Sequence, residues 1–502
     1  MKNMKTYYIT TAIPYANGKP HIGTAMDYLY GDILLRHHAA GETGALMSIG
    51  TDEHGTKVEK KARELGKTPQ QLVDDLQSDF DEMRTKLNLD FANIVNVRTT
   101  DADHVRRVQE IWRRLDAAGV IYKSTYEGWY CVGCESFLTE TEAREMNYEC
   151  ADHQKPLEKL SEDNYYLKVS KFTEQIREFA KTSIVPEFRG KEILELIKNG
   201  AKDVSISRPK EKLSWGVPVP GDDSQTMYVW MDALCNYITV IGYPDDEKYR
   251  DFWPADVEIV GKDILRFHAV IWLAILLTLE LPLPKKLLAH GHVTVSGAKM
   301  SKSVGNVVDP IEIIDNYGTD AFRYYFARHI PTFDDGDFTW EKFEAAYNGE
   351  LANDLGNLVS RVANMLKKYE IARQFDEGTD LSDDAKKIVD NWNENFAELD
   401  LANAMENAWK LVQMANQFID ESKPWEVAKT DAEKLAEIMN RIWVIMMFIN
   451  GLIRPFLPDT SDKMTEIFAK SQGEKITGPI PILFPKKYLH TEEPAKNSKS
   501  KG

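Results

Sequence analysis

Residues 7–50 restrict the fold of this chain most strongly, because they combine a strand, a loop, a helix and a second strand. Residues 7–12 (Tyr-Tyr-Ile-Thr-Thr-Ala) are rich in β-branched and aromatic side chains, as buried strands are. A helix is predicted from His21 to about Ala40, and residues 45–50 form the second strand. This βαβ unit predicts a parallel sheet covered by helices, with ligands bound at the carboxyl ends of the strands.

The composition narrows the class of protein. With 502 residues, 43% hydrophobic and 28% charged, the chain has the make-up of a soluble globular protein and room for two to four domains. Its longest apolar run, residues 269–279, is too short to span a bilayer. Four cysteines do not make a disulfide framework, which favours a reducing cytoplasm. A net charge of −17 argues against nonspecific coating of nucleic acid, although a local basic patch stays compatible with a nucleic-acid partner.

Two short segments carry side chains suited to phosphate. His21 and Gly23 stand at the predicted start of the first helix, where unpaired N–H groups and the helix dipole attract anions. Residues 297–305 (Gly-Ala-Lys-Met-Ser-Lys-Ser-Val-Gly) place Lys299 and Lys302 between two glycines. Taken singly, each segment has an ordinary alternative: a capping or core histidine, and a solvated basic turn.

Four residues have the spacing of a zinc knuckle. Cys131 and Cys134 form a C-x2-C pair, and Cys150 and His153 form a C-x2-H pair after fifteen intervening residues. Three thiolates and one imidazole complete a closed tetrahedral site, which indicates a structural metal. A redox pair or a coincidence of spacing is the alternative.

The remaining pattern divides the chain. Residues 227–233, 257–260 and 287–295 predict further strands, and the last of these leads into the lysine-bearing loop. Helical periodicity begins near residue 341 and predicts a bundle. Five segments are expected. Residues 1–117 form the first half of a catalytic domain, residues 118–225 an insertion with the knuckle, and residues 226–340 the second half of the catalytic domain with a linker. Residues 341–485 form a helical domain, and residues 486–502 a disordered polar tail.

Together these motifs resemble class I aminoacyl-tRNA synthetases. The resemblance rests on two motifs, His-Ile-Gly-Thr at 21–24 and Lys-Met-Ser-Lys-Ser at 299–303. The knuckle, together with residues 12–18 (Ala-Ile-Pro-Tyr-Ala-Asn-Gly), 52–55 (Asp-Glu-His-Gly) and 228–233 (Tyr-Val-Trp-Met-Asp-Ala), narrows the resemblance to methionyl-tRNA synthetases. It implies an α/β fold: a Rossmann-type parallel-sheet catalytic domain split by a zinc-binding insertion and followed by an all-α anticodon-binding bundle.

The resemblance also implies roles for individual residues. The methionine side chain would be enclosed by Ile13, Tyr15, Trp230, Leu234, Tyr237, Ile264 and His268. Asp52 would hold the substrate ammonium, and Arg208 would steady groups near the adenylate. ATP would be contacted during catalysis by His21, Gly23, Thr24, Gly261, Asp263, Val293, Lys299 and Lys302. A CAU anticodon would meet Asn357, Arg361 and Trp425.

The activity implied is ATP-dependent attachment of L-methionine to tRNA(Met) through methionyl-adenylate, with release of AMP and pyrophosphate. One structural Zn²⁺ held by the four knuckle residues, Mg²⁺ accompanying ATP, a cytoplasmic location, a monomeric state and no membrane association belong to the same expectation.

Three departures and two rivals qualify the expectation. Thr24 stands where a second histidine is usual, Leu234 where proline is also common, and a short polar tail stands where some relatives have a further tRNA-binding domain.

One rival is a class I synthetase for another apolar amino acid or for cysteine. The other is a noncatalytic tRNA-binding homologue, for which Thr24 is the only support.

Overall fold

The computed structural model of the protein describes residues 6–40, 44–131, 136–138, 140–150, 155–300, 307–374 and 381–491. The strands, β1 to β15 in chain order, are Tyr7–Thr11, Ala45–Thr51, Ile94–Arg98, Ile121–Cys131, Ser136–Leu138, Glu158–Leu167, Ile184–Val185, Val204–Ser205, Ser207–Pro209, Gln225–Met227, Val257–Gly261, Lys286–His290, Val293–Val295, Ala298–Lys299 and Gly336–Phe338.

The α-helices, α1 to α20 in chain order, are Ile22–Ala39, Thr56–Glu64, Pro69–Lys86, Ala102–Ala117, Glu140–Glu145, Thr173–Thr182, Glu187–Leu196, Val229–Ala233, Asn236–Thr239, Leu265–Phe267, Leu273–Thr278, Pro310–Tyr317, Thr319–Arg328, Trp340–Ala346, Asn357–Lys368, Asp383–Ala397, Leu401–Ser422, Pro424–Val427, Ala432–Ile453 and Pro458–Phe468. Three 3₁₀ segments (Phe91–Asn93, Val169–Phe172 and Glu247–Asp251) and two π-helical segments (His268–Trp272 and Tyr347–Gly356) complete the set.

The main sheet has six strands in the order β3-β2-β1-β11-β12-β7. Strand β1 pairs in parallel with β11, and β2 pairs in parallel with β3. Chain order runs outward from β1 to β3 on one side and from β11 to β12 on the other, with the earlier strand β7 added at that edge. The crevice where the order reverses, between β1 and β11, is where open α/β sheets bind ligands. The predicted parallel α/β sheet is therefore confirmed.

Local boundaries differ from the sequence prediction at two places. The apolar run 227–233 is not one strand, because β10 ends at Met227 and Val229–Ala233 form a helix. The predicted strand 287–295 is interrupted at Gly291, so that β12 and β13 belong to different sheets. A Cβ at Gly291 would lie 2.0 Å from the Asp334 carbonyl oxygen, and this close approach is what interrupts the strand.

By packing, the chain divides into two compact units. The first comprises residues 1–19, 46–79 and 94–287, and the second comprises residues 20–45, 80–93 and 288–502. The first unit also contains the antiparallel sheet β5-β4-β6-β8 and the pair β10-β9. The predicted insertion at 118–225 is not wholly separate from the main sheet, because its β7 joins the sheet as an edge strand.

The second unit carries the helical bundle predicted after residue 341. Helix α19 packs against α15, α17 and α20. Among the described helices it alone is long and apolar enough to cross a membrane, and over half of its most apolar stretch is buried within the protein, as is usual at the centre of a bundle. In the same unit, α1 is joined to α13 by the buried ion pair Asp32–Arg323, at 2.7 Å.

The predicted disordered tail does not hold for residues 486–491. The Glu344 carboxylate accepts hydrogen bonds from the backbone N–H groups of Leu489 (2.7 Å) and His490 (2.8 Å) and from the Thr491 hydroxyl. The His490 ring stacks on Trp340 with centroids 3.7 Å apart. A buried carboxylate that accepts several donors offsets the entropy of ordering this short polar segment.

Glu258, on the central strand β11, gives a stability prediction. Burial raises the pKa of Glu258 to about 8, although Trp272 Nε1–H donates to its Oε1 at 2.9 Å. The folded state therefore keeps a proton that the unfolded chain loses above about pH 4.5, so the free energy of unfolding declines as pH rises from 4.5 to 8. Glu258→Gln abolishes this decline, because an amide does not ionise in either state.

The stability of Glu258→Gln relative to the wild type is accordingly expected to increase by roughly 1.4 kcal/mol per pH unit over that range. Urea unfolding at pH 5, 6.5 and 8 measures it, with the exposed Glu64→Gln as a control that changes nothing. Parallel pH profiles for wild type and Glu258→Gln would refute the buried, protonated carboxyl.

Candidate active site

Three loops of the first unit leave neighbouring strands at their carboxyl ends. Ile13 and Tyr15 follow β1, Asp52 follows β2, and Ile264 and His268 follow β11. Backbone bonds join the first two loops: Asp52 N–H donates to the Pro14 carbonyl at 2.9 Å, and Ala16 N–H donates to the Asp52 carbonyl at 2.7 Å. The structure thus places Tyr15 and the buried Asp52 side by side, as a bridge between their backbones also records.

A glycine allows Tyr15 to lie against the second loop. Gly55 has φ +108°, and a Cβ there would lie 1.9 Å from the Tyr15 hydroxyl oxygen. No side chain fits that gap, and the backbone conformation itself favours glycine. The sequence Asp-Glu-His-Gly at 52–55 therefore combines a carboxylate with the glycine that admits the tyrosine beside it.

An aromatic surface forms around helix α8 and the segment after β11. The Trp230 ring stacks on Phe267, with centroids 4.2 Å apart and planes 13° from parallel, and meets the His268 ring edge-on at 6.0 Å. Leu234 caps α8 and is buried, as is Tyr237 on α9. Of the predicted pocket residues, the structure brings Trp230, Tyr237 and His268 into contact, and the others lie in the same unit.

His268 and Tyr237 form a neutral hydrogen-bonded pair. His268 Nδ1 lies 3.0 Å from the Ile264 carbonyl oxygen, which can only accept, so Nδ1 carries the proton. Its Nε2 then accepts from the Tyr237 hydroxyl at 2.7 Å. Burial lowers the pKa of His268 to about 4, so the ring is uncharged at neutral pH. A neutral aromatic surface suits an apolar or thioether side chain, and Asp52 of the same unit offers a carboxylate for the ammonium group of an amino acid.

Arg208 lies in the same unit, on strand β9. Its guanidinium sits 4.4 Å from the centre of the Tyr228 ring and 5.9 Å from that of Tyr130. It donates to the Ser205 hydroxyl at 2.9 Å and to the Ser207 carbonyl at 2.7 Å. Arg208 is therefore held beside the residue that precedes α8, and its predicted role toward the adenylate stays a prediction.

In the second unit, His21 begins helix α1. Its Nδ1 accepts a hydrogen bond from the Thr24 backbone N–H at 3.3 Å, so His21 is the N-cap of the helix. A neutral imidazole that accepts through Nδ1 carries its proton on Nε2. The cap therefore makes Nε2 a donor for an anion at the helix N-terminus, and the capping and phosphate-binding interpretations of His21 are compatible.

The lysine-bearing segment approaches this helix start through Met300. A Cβ at Gly23 would lie 3.3 Å from the Met300 methyl carbon and 3.0 Å from the His21 ring. The backbone of Ala298–Lys299 pairs with β13 in a hairpin, so the first predicted lysine is on a strand rather than in a loop. Lys302 lies outside the described residues.

The remaining predicted nucleotide contacts divide between the units. Gly261 ends β11 and Asp263 lies exposed two residues later, both in the first unit. Val293 opens β13 in the second unit and is buried. Their contacts with a nucleotide stay predictions.

The insertion brings two of the four knuckle residues together. Cys131 and Cys150 are buried, and they pack in one apolar cluster with Ala143 and Leu157. Cys134 and His153 lie outside the described residues. Within the described part of the chain, no group of three or more potential ligands is assembled for a metal ion.

The bundle brings two of the three predicted anticodon residues into contact. Helix α17 ends at Ser422, Lys423 adopts φ +43°, and Pro424 starts the short helix that projects Trp425. The Arg361 guanidinium lies 5.0 Å from the Trp425 ring centre and pairs with Asp420 at 2.7 Å. The exposed Asn357 stands one helical turn before Arg361 on α15.

Comparison with known families agrees with this arrangement. The family described as "tRNA synthetases class I (M)" matches residues 7–363, and the family described as "Anticodon binding domain of methionyl tRNA ligase" matches residues 370–478. The chain belongs to the methionyl-tRNA synthetase family. The resemblance inferred from the motifs is thereby confirmed, as is the expected α/β catalytic domain followed by a helical anticodon-binding domain.

Individual family members match over most of their length. A methionine–tRNA ligase of Clostridium acetobutylicum is 40% identical over 478 residues, covering 92% of this chain and 73% of that protein. A ligase of Thermotoga maritima is 37% identical, covering 93% and 76%. Among solved structures, Mycobacterium tuberculosis methionyl-tRNA synthetase in complex with methionyl-adenylate is 33% identical, with a TM-score of 0.86, and the match covers 96% of this chain and all of that one.

The contacts that Phe267 and Met300 make at the site were not predicted from the sequence. Phe267 stacks on Trp230, and Met300 reaches Gly23. The signal for Phe267 was its spacing of three residues from Ile264, since positions three apart share a helix face. No comparable signal existed for Met300, because its partner lies far away in the sequence.

Proposed function

We propose that this chain attaches L-methionine to tRNA, in two steps, at the expense of ATP. The observation that carries the proposal is that a catalytic and an anticodon-binding family, both of methionyl-tRNA ligases, match consecutive parts of this one chain. The aromatic surface around Trp230 and His268, and the buried Asp52 of the same unit, support methionine as the amino acid.

In the first step, a methionine carboxylate oxygen attacks the α-phosphorus of ATP. A P–O bond forms, the bond to the bridging oxygen breaks, and pyrophosphate leaves with the electron pair. No general base is needed, because the carboxylate is ionised at neutral pH. The residues contribute positioning and charge: Asp52 pairs with the ammonium, and His21 Nε2–H and the N-terminus of α1 donate to phosphate oxygens.

In the second step, the terminal ribose hydroxyl of tRNA attacks the acyl carbon of methionyl-adenylate. An ester C–O bond forms, the bond from the acyl carbon to the phosphate oxygen breaks, AMP leaves with the electron pair, and the hydroxyl proton passes to solvent. Lys299 and Lys302 would neutralise phosphate charge during the first step, as the family resemblance implies. Mg²⁺ would arrive with ATP, since it is commonly held through substrate phosphates, and would share that neutralisation. The cytoplasm, where ATP and tRNA occur, is the proposed location.

Methionine-dependent exchange between pyrophosphate and ATP tests the proposed specificity. With each amino acid tried in turn, methionine is expected to support exchange, and isoleucine, valine and cysteine to support far less. Exchange supported best by one of those three would establish the rival synthetase. The absence of exchange with any amino acid, together with retained tRNA binding, would establish the noncatalytic homologue.

We further propose a structural zinc held by Cys131, Cys134, Cys150 and His153. Burial of Cys131 and Cys150 in one apolar cluster supports it, because it brings residues from the two halves of the knuckle motif to the same part of the fold. Tyr130, which precedes Cys131, contacts Arg208. The metal would therefore stabilise the position of Tyr130 and, through it, of Arg208 near the substrate. The ion would supply folding free energy and no step of the reaction.

Elemental analysis tests this proposal. One zinc per chain is expected, and Cys131→Ser is expected to lose it and to unfold at a lower temperature. Cys235→Ser, a buried cysteine elsewhere in the same unit, is the matched control and should retain the metal. A wild-type protein purified without chelators and free of zinc would contradict the site.

Trp425→Ala tests the anticodon surface. Loss of a stacking aromatic costs about 1–3 kcal/mol per base, so the KM for tRNA should rise about 5- to 150-fold. Pyrophosphate exchange, which needs no tRNA, should be unchanged. The exposed Phe188→Ala in the first unit is the control. An unchanged KM for tRNA in Trp425→Ala would remove this residue from the anticodon surface.

A further inference from the structure

The proposed reaction uses no residue of one buried polar cluster. The Asp232 carboxylate, on α8, accepts hydrogen bonds on both oxygens: His54 Nδ1 lies 2.6 Å from Oδ2, and His104 Nε2 lies 2.9 Å from Oδ1. Asp232 is 1% exposed, and the two histidines are also buried. All three belong to the first unit.

The cluster joins three separate stretches of the chain. His54 belongs to the loop that carries Asp52, while Asp232 belongs to the helix that carries Trp230. His104 lies on α4, and its Nδ1 is 2.7 Å from the Thr239 hydroxyl on α9. The Asp232 carboxylate thus connects two parts of the proposed site. One is the loop that would hold the ammonium group of methionine, and the other is the pair of helices, α8 and α9, that would enclose the methionine side chain.

Other contacts hold the loop beside His54 to neighbouring elements. Glu53 N–H donates to the Thr99 hydroxyl at 2.9 Å, and the Glu53 carboxylate accepts from Arg98 Nε at 2.8 Å. Trp215 Nε1–H donates to the Glu53 carbonyl at 2.7 Å, and the Trp215 ring meets His54 edge-on at 5.4 Å. Gly55 N–H donates to the Trp215 carbonyl at 3.0 Å. These bonds fix the loop to strand β3, to the residues that follow it and to the segment around residue 215, whereas the Asp232–His54 bond fixes it to α8.

The charge state makes the bond a strong one. Burial alone would raise the pKa of Asp232, but the charge of His54 and hydrogen bonds from both imidazoles lower it to about 2. The carboxylate is therefore ionised at neutral pH, and hydrogen bonds to an ionised group are roughly twice as strong as neutral ones.

We propose that Asp232 is a positioning residue for methionine activation, which holds Asp52 and Trp230 at the separation that an amino acid with a thioether side chain requires. The inference rests on the proposed function. It assigns Asp232 no contact with substrate: the residue acts through His54 on one side and through its own helix on the other.

Kinetics of pyrophosphate exchange separate this role from a purely structural one. Asp232→Asn keeps the shape, but its amide oxygen can accept from only one of the two imidazoles and that bond is no longer charge-assisted. The KM for methionine should therefore rise about tenfold while the KM for ATP changes less than about twofold. Asp320→Asn is the matched control: a buried aspartate of the second unit, which accepts from Thr460 N–H at 2.6 Å. Asp320→Asn should leave the KM for methionine unchanged.

A second pair of variants keeps the test decisive if Asp232→Asn folds poorly. Glutamine presents an N–H near the position of a histidine Nε2, so His104→Gln can still donate to Asp232, whereas His104→Leu cannot. The KM for methionine should stay within about threefold of wild type in His104→Gln and rise about tenfold in His104→Leu.

Three results would overturn the inference: equal rises in the KM for methionine and for ATP in Asp232→Asn, an unchanged KM for methionine, or identical values for His104→Gln and His104→Leu. A wild-type protein inactive with methionine would instead refute the proposed function. The two failures are therefore distinguished by the wild-type measurement.

Discussion

Replacement of His21 by asparagine is expected to slow pyrophosphate exchange about 100- to 1000-fold without loss of fold stability. Asparagine is a good N-cap, and its side-chain oxygen can accept from Thr24 N–H as His21 Nδ1 does at 3.3 Å. What the variant lacks is the Nε2–H donor. Removal of one donor aimed at developing charge costs about 2.7–4 kcal/mol of transition-state stabilisation, which gives the expected range.

The measurement is kcat for exchange together with the thermal unfolding midpoint. His38→Asn, at the other end of helix α1, is the control and should leave the exchange rate unaltered. A His21→Asn enzyme that exchanges at the wild-type rate would reduce His21 to a helix cap. The same result would indicate that the lysine-bearing segment, rather than His21, binds the phosphates.

Asp52→Asn is expected to raise the KM for methionine about 100-fold or more, with the KM for ATP nearly unchanged. An amide cannot neutralise the substrate ammonium, and truncating one partner of a buried charge pair costs about 2–5 kcal/mol. The fold should tolerate the change, because the described bonds of residue 52 to Pro14 and Ala16 use only its backbone.

The solvent-exposed Asp75→Asn, which loses only a surface ion pair with Lys67, serves as the control. Exchange measured over a range of methionine concentrations distinguishes a binding defect from a loss of kcat. A KM for methionine within about threefold of wild type in Asp52→Asn would exclude an ion pair between Asp52 and the ammonium.

The features that the sequence predicted correctly are those with a local signature. Strand β1, helix α1 and strand β2 follow from hydrophobic patterning and a capping residue, and their parallel arrangement follows from the connection between them. The neighbouring placement of Tyr15 and Asp52 followed in turn, since loops at the ends of adjacent parallel strands meet.

Features that depend on distant contacts could not be predicted. Apolar residues 227–233 fit a strand or a helix, and tertiary packing placed Trp230 on a helix. Gly291 interrupts a predicted strand because of a carbonyl more than forty residues later. Residues 486–491 are polar in composition, yet Glu344 holds them. Asp232 looked like an ordinary motif residue, and its two histidines lie 178 and 128 residues away.

Transfer of radiolabelled methionine to a tRNA transcript with a CAU anticodon tests the proposed activity most directly. ATP-dependent formation of acid-precipitable methionyl-tRNA is expected, with strong loss when the anticodon is altered or when the terminal ribose has been oxidised by periodate. No transfer of methionine, or preferential transfer of a different amino acid to its own tRNA, would contradict the activity proposed for this chain.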